Sequence, residues 1–264
     1  MFVKIVYHPL MRESYDNTPA GAPHRLDTAI EILGTRPEYE FVEPVAATDE
    51  QILRAHGPRH LEEVRRDSDF GRRDLLYEMA ALAAGGAILT AEIAMEEKVA
   101  FGLIRPPGHH ASWDSYWGYC YHNNIAVSLL HLRATRRINS AFILDFDLHT
   151  GDGNINILGD DPSFVIHNPS GRGDDAFLAD TNRALDRSPD VDIIVASAGF
   201  DQYIHDWGSN ISTSAFRRIG QLMCDFAQER CEGRRYGLLE GGYNFEDLGM
   251  NVLAFCEGLR TGTP

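Results

Sequence analysis

Short apolar runs of strand length alternate along this chain with longer stretches of helical period. Phe2–Tyr7, Phe41–Ala47, Val99–Ile104, Ala141–Phe146, Phe164–His167, Val191–Ala198 and Gly237–Glu240 read as strands. Between them, helical patterns cover Arg25–Leu33, Asp49–Ala55, Arg59–Arg66, Leu75–Glu97, Tyr121–Arg137, Ala176–Asp186, Thr213–Cys231 and Glu246–Leu259. Gly34 is placed as a C-cap and Asp49 as an N-cap. Gly85-Gly86, inside the long Ala-rich helix, predicts close packing against a neighbour. Alternation of this kind predicts a mostly parallel sheet with helices on both faces. No Pro/Gly/Ser-rich linker or repeat interrupts it, so residues 1–264 are expected to form a single domain.

The polar motifs fall just after strands: His109-His110, Asp145 to Asp152, Asp201 and Tyr243. Open α/β sheets place their sites at this carboxyl edge. In an extended chain alternate residues share a face, so Asp145, Asp147 and His149 leave their strand pointing one way. Two carboxylates and an imidazole converging there suit a divalent metal bound through O and N. Gly151 and Gly153 permit a sharp turn that brings Asp152 back towards the cluster. The same residues, taken alone, also fit a polar strand-to-helix loop with an N-cap Asp.

Pro106-Pro107 fixes the backbone before Gly108-His109-His110, a rigid loop able to aim two adjacent histidines at one centre. Asp145 and Asp152 are available to orient them, which would fix tautomers and raise ring basicity. A solvent-exposed pair is the simpler alternative. Asp201 can complete a set of three metal ligands with open positions, the catalytic pattern rather than the closed structural one; a loop Asp at a helix N-terminus is the alternative. Gly241-Gly242-Tyr243-Asn244 is a bend that presents a phenol suited to a developing oxyanion, or simply a turn with a packing Tyr. Together these residues describe metal-assisted amide hydrolysis: a metal, a histidine base and an oxyanion donor. Trp113, Tyr116, Trp117 and Tyr119 follow the histidine pair and suit either a pocket wall for an aliphatic or cationic chain or the core.

Composition narrows the partners. The chain has 264 residues, 44% hydrophobic and 24% charged, with a net charge of −15. That balance argues against nucleic acid and anionic membranes and tolerates or favours cationic substrates, although acidity serving solubility alone is the simpler alternative. Cys120, Cys224, Cys231 and Cys256 form no CxxC pair, so reduced thiols in a cytoplasmic protein are expected. No signal peptide and no membrane-spanning apolar run are read.

Five segments give the chain a resemblance to the histone deacetylase and acetylpolyamine amidohydrolase superfamily. They are Arg105-Pro106-Pro107-Gly108-His109-His110-Ala111, Gly118-Tyr119-Cys120-Tyr121-His122-Asn123-Asn124, Asp145 to Gly153, Ser197-Ala198-Gly199-Phe200-Asp201 and Glu240-Gly241-Gly242-Tyr243-Asn244. They occur in the family's order across roughly residues 100–260, and His8-Pro9 and Pro23-His24-Arg25-Leu26 match more loosely. The resemblance implies a three-layer α/β/α, arginase-like fold with an eight-stranded sheet. It implies Zn2+ on Asp147, His149 and Asp201, a donor set that Fe2+ or Co2+ would also suit. It casts His110, oriented by Asp152, as general base and later acid, and His109, paired with Asp145, as electrostatic support. Tyr243 would polarise the acyl carbonyl, while Gly118 and Tyr119, with Gly241 and Gly242 of the bend, would contact substrate.

The chain departs from the family pattern in several places. Thr150 stands where a second histidine often follows the metal ligand. Val165 occupies the position of a serine commonly used for K+. The loop Asn168-Pro169-Ser170-Gly171-Arg172 is very short, which predicts a pocket open on one side. The long insertion of the acetylpolyamine enzymes is missing, yet Glu240 resembles that branch. The expected activity is therefore hydrolysis of an N-acetylated amine, with a small amine such as an acetylpolyamine placed ahead of acetyl-lysine in protein. An arginase-type enzyme fits less well, because Asp147-x-His149-x-x-Asp152 with a lone Asp201 suits one metal rather than two. An inactive acetyl-ligand-binding module is the non-catalytic alternative.

Overall fold

The computed structural model describes residues 2–70 and 75–263, with the side chains of residues 69 and 70 left aside. Its strands are β1 (Val3–Val6), β2 (Tyr39–Val42), β3 (Val99–Gly102), β4 (Ala141–Asp145), β5 (Phe164–His167), β6 (Ile193–Ala198) and β7 (Arg235–Leu239). They form one sheet in the order β2-β1-β3-β7-β6-β4-β5, parallel throughout. The sheet has seven strands, not the eight that the family resemblance implies. Each strand-length apolar run of the sequence contributes to one strand, but β2 keeps only Phe41 and Val42 of the expected Phe41–Ala47, because the chain leaves the sheet after Val42 to cross α4.

The helices are α1 (Asp27–Gly34), α2 (Asp49–Ile52), α3 (Pro58–Phe70), α4 (Leu76–Glu97), α5 (Asn124–Ala134), α6 (Asp152–Leu158), α7 (Gly173–Arg187), α8 (Thr213–Arg230) and α9 (Phe245–Thr261). α4 and α5 cover one face of the sheet, with α2, α3 and α6 beside them; α1, α9, α8 and α7 cover the other. α4 is long and apolar enough to cross a membrane, contrary to the sequence expectation, but it lies mostly buried in this layer. A Cβ on its Gly85 would sit 1.9 Å from the Val45 carbonyl. The chain after β2 therefore crosses the helix there, and Ala47 N–H donates to Ala81 O at 2.8 Å.

Several helix ends differ from expectation. Gly34 lies inside α1, whose cap is Thr35. Thr48, not Asp49, caps α2, because its hydroxyl reaches the Gln51 N–H and closes a capping box. α5 starts at Asn124 because Asn123 Oδ1 accepts from Ala126 N–H at 2.8 Å. α1 starts after Arg25, whose guanidinium is drawn into the interior instead.

Strand pleating carries this architecture to the site. Asp145 and Asp147 face the carboxyl edge, and Phe146 between them points into the core. There it meets Phe200, Phe216 and Phe255, with ring centroids 5.9, 6.1 and 5.2 Å away. All four rings are essentially inaccessible. Truncating one such phenylalanine costs about 3–5 kcal/mol, so the strand end that presents the carboxylates is clamped from below.

Candidate active site

At the carboxyl edge lies a cavity of about 280 Å³ lined by Pro107, His109, His110, Trp117, Gly118, Tyr119, Asp147, His149, Trp207, Gly241 and Tyr243. Asp147, His149 and Asp201 bring ligand atoms within 4.8 Å of one another at its floor. His149 Nδ1 is 3.3 Å from Asp147 Oδ1 and 3.4 Å from Asp201 Oδ2. The backbone holds both carboxylates: Gly241 N–H donates to Asp147 Oδ2 at 2.8 Å and Leu148 N–H to Asp201 Oδ1 at 3.0 Å. Asp201 Oδ2 is buried, and among the described residues only the long approach of His149 Nδ1 meets it. Hydrogen bonds to Asp147 and Asp201 push His149 up to about 10. Burial and the neighbouring Asp147 push Asp201 up to about 6. Two carboxylates this close need a cation between them, and the His149 proton stands in that role. The trio fits a divalent ion in its charge, its O/N donor set and the free lone pair of Asp201.

Two histidine–carboxylate pairs stand over the trio. His109 Nδ1 lies 3.3 Å from Asp145 Oδ2, and Asn154 Nδ2 donates to the same oxygen at 2.9 Å. Burial opposes a charge on His109, but Asp147 and Asp145 outweigh it and raise its pKa well above the ordinary value. His110 Nδ1–H donates to Asp152 Oδ1 at 2.6 Å. Burial, reinforced by the charge of His109, lowers the His110 pKa. His110 is therefore poised as a neutral imidazole whose Nε2 has no hydrogen-bond partner among the described residues. The rings of the two histidines lie 4.0 Å apart.

Tyr243 enters from the loop after β7. Its backbone N–H and that of Asn244 donate to Asp206 Oδ2 at 2.6 and 2.7 Å, and Asn244 then caps α9. Its hydroxyl has no protein hydrogen-bond partner among the described residues, and burial raises its pKa well above the ordinary value. The loop is also held from below. Arg25, fully buried, donates through Nε to Gly242 O at 3.0 Å and through Nη2 to the Glu240 carbonyl. Its guanidinium lies 5.1 Å from the Tyr243 ring centroid.

The expected residues thus converge, with one exception. Gly118, Tyr119 and Gly241 line the cavity, but Gly242 does not. Its φ of +119° turns the chain away, towards Phe200 and Leu248. Trp117 and Tyr119 form wall; Trp113 and Tyr116 do not. The short loop after β5 contributes nothing to the lining, although Asn168 Oδ1 accepts from Gly151 N–H at 2.8 Å.

Sequence reasoning missed Trp207, which stacks on Tyr243 with ring centroids 4.1 Å apart. It also missed the structural task of Glu240, whose Oε2 accepts from Gly108 N–H at 2.6 Å and His109 N–H at 3.1 Å. A lone Trp in the polar loop after Asp201 was the available signal for the first. A carboxylate at the buried end of a strand was the signal for the second.

A second group, His56, His60 and His122, also brings ring nitrogens within 4.8 Å of one another. It lies outside the cavity and is fully enclosed. Asn123 N–H donates to His56 Nε2 at 2.9 Å, so the His56 proton is on Nδ1, which donates to Ser112 O at 2.8 Å. His60 Nε2–H donates to Tyr121 O at 2.7 Å.

The fold and the site together define an α/β amidohydrolase of the deacetylase type. The Histone deacetylase domain family matches residues 20–169 and 165–259, and the chain belongs to that family. A "Probable deacetylase" of Methanothermobacter thermautotrophicus is 31% identical, over 83% of this chain and 78% of that protein. A "Histone deacetylase-like amidohydrolase" of Pseudomonas aeruginosa is 30% identical, over 92% and 79%. The "Polyamine deacetylase HDAC10" of Danio rerio is 25% identical, over 87% of this chain and 42% of its own length. The crystal structure of the HDA15 HD domain superposes with a TM-score of 0.86 at 22% identity, covering 100% of this chain and 90% of that one. That likeness establishes the fold.

Proposed function

We propose that this deacetylase is a zinc enzyme that removes the acetyl group from an N-acetylated primary amine, with a small amine such as an acetylpolyamine preferred over acetyl-lysine in protein. The observation that carries the reaction is the His110–Asp152 pair at 2.6 Å beside a cavity lined by Asp147 and His149, with Asp201 grouped behind them. A divalent ion on that trio would polarise the acyl carbonyl and acidify water. Asp152 occupies Nδ1 of His110, leaving Nε2 to take the proton of the attacking water and return it to the departing amine. His109, held by Asp145, adds positive charge beside the developing oxyanion. Tyr243, whose hydroxyl has no protein partner, donates to that oxyanion.

The preference for a small amine is supported by the net charge of −15 and by two indoles at the rim, Trp117 and Trp207, suited to an alkylammonium chain. A relative named for polyamines adds to it, while one named as histone deacetylase-like keeps acetyl-lysine as the second reading. The test compares acetylputrescine and acetylspermidine with an acetyl-lysine peptide on zinc-loaded protein. Higher kcat/KM on the polyamines is expected, and a preference for the peptide overturns the substrate choice. In parallel, His110→Ala should abolish turnover with metal content intact; unchanged hydrolysis removes His110 as the base.

A further inference from the structure

We propose that Trp117 is a positioning residue for hydrolysis, bracing the His110–Asp152 pair from its solvent side so that Nε2 of the imidazole stays aimed into the cavity. The inference rests on the role of His110 given above.

The two histidine–carboxylate pairs differ in what surrounds them. His109 and Asp145 are sealed, with side-chain exposures of 3% and 0%, whereas the Asp152 side chain is 49% exposed. A half-exposed carboxylate on the first turn of a short helix is open to water, which competes for both of its oxygens. Asp152 spends Oδ1 on His110 Nδ1–H at 2.6 Å. Its other oxygen, Oδ2, accepts from the indole Nε1–H of Trp117 at 2.9 Å. The same indole lies against the imidazole, with ring centroids 4.0 Å apart and planes 34° from parallel. One side chain therefore touches both partners, fixing the carboxylate by a charge-assisted hydrogen bond and the imidazole by contact.

Core packing does not account for this placement, because Trp117 is itself 55% exposed. The backbone is built for it instead. Gly118 and Tyr119, which follow, both take left-handed φ values, +59° and +66°. Such a value is costly for Tyr119 and is kept where surrounding structure enforces it. A Cβ on Gly118 would fall 2.4 Å from His110 Cδ2. The chain thus passes close beside the imidazole and carries the indole across it. Nothing equivalent is needed at the sealed pair, where Asn154 holds Asp145 from within.

The experiment compares Trp117→Phe, which keeps a ring and loses the N–H, with Trp117→Ala, alone and combined with Asp152→Asn. Folding and metal content are checked for each by thermal denaturation and elemental analysis. The first readout needs no substrate: the low-field imidazole proton of His110 Nδ1–H, assigned by its absence in His110→Ala. It should be sharp in the wild type and broadened or lost in Trp117→Phe through exchange with water. The second is turnover of acetylputrescine or an acetyl-lysine peptide. Trp117→Phe should lower kcat roughly five- to tenfold, the scale of one hydrogen bond, with KM little changed and no further loss in the Asp152→Asn background. A raised KM with unchanged kcat and an unchanged His110 proton would make Trp117 only a substrate wall and overturn the proposal. If His110→Ala itself turns over normally, the role of His110 falls. If it is inactive and Trp117→Phe is indistinguishable from wild type by both readouts, the brace alone falls.

Discussion

His56, His60 and His122 form one cluster of three potential donors and Asp147, His149 and Asp201 form another, each with its ligand atoms within 4.8 Å of one another. Only the second is built to hold a cation. The rings of His56 and His60 are stacked, 3.9 Å apart and 8° from parallel. In-plane lone pairs of parallel rings cannot converge on one ion. Their protons are committed to backbone carbonyls, no carboxylate joins the three, and burial lowers all three pKa values, that of His122 to about 3. The Asp/His/Asp trio has the opposite character: two anions, an oxygen met only by the trio's own imidazole among the described residues, and a wall of the cavity within reach. Proximity of donors marks a metal site only when lone-pair direction, charge and access agree with it.

The largest expected effect tests that contrast. Even an outer partner of a metal ligand is worth about 10–100-fold in affinity, and a ligand is worth more. Asp201→Asn should therefore abolish stoichiometric zinc and turnover together, while His122→Phe should leave zinc content at wild-type level. Elemental analysis after dialysis decides it. Zinc lost from His122→Phe, or kept by Asp201→Asn, would reverse the assignment of the two clusters.

The next effect is on stability. His56 and His60 hold the backbone at Ser112, Tyr121 and Asn123, the two ends of the segment that supplies Trp117, Gly118 and Tyr119 to the cavity. His56→Ala strands the buried Asn123 N–H and the half-buried Ser112 carbonyl and opens space beside them. The expected loss is on the order of 3 kcal/mol, read from urea denaturation, with a raised KM as the pocket wall loosens. A loss under about 1 kcal/mol would show that the segment holds its shape without this clasp.

Much of this was legible in the chain. Apolar runs marked where the carboxyl edge would lie, and strand pleating put Asp145, Asp147 and His149 near one another; the strand itself ends at Asp145, which pairs with His109, while Asp147 and His149 stand in the bend beyond it. The strands of the sheet were readable from such runs, although β2 starts two residues before the run expected for it and ends five residues before that run does; the eighth came from family resemblance alone and is not there. Relations across the fold were not legible. Arg25 meets Glu240 and Gly242 from more than two hundred residues away, and its arginine signals nothing of the interior until the helix after it is packed. Trp117 was readable as a wall residue, but its bond to Asp152 depends on the left-handed kink at Gly118 and Tyr119. Trp207 reaches Tyr243 only through the loop that follows Asp201.

Glu240 offers the smallest and most specific test of the contrast, since it belongs to a third donor group, with His109 and Cys120. It is fully buried, its Oε2 accepts two backbone N–H bonds, and its Oε1 has no partner. Burial pushes its pKa up to about 7, the charge of His109 only partly offsetting it. Because Oε2 accepts two N–H bonds, a proton held by this acid would sit on Oε1, making it a neutral bracket for the histidine loop rather than a ligand. In the metal-free protein the sign follows from linkage. The folded state keeps a proton that the unfolded chain releases near its ordinary value of 4.5. The stability from Glu240 is thus full below about pH 4.5 and lost as pH rises through about 7, a swing on the order of 3 kcal/mol. Glu240→Gln, which imitates the protonated form, should remove that swing. Urea midpoints of chelator-treated wild type and variant, taken from pH 5 to 8, should therefore diverge, with the wild type falling further. Parallel curves would mean that Glu240 is ionised in the fold, and its group would then rank with the Asp/His/Asp trio as a place built for charge.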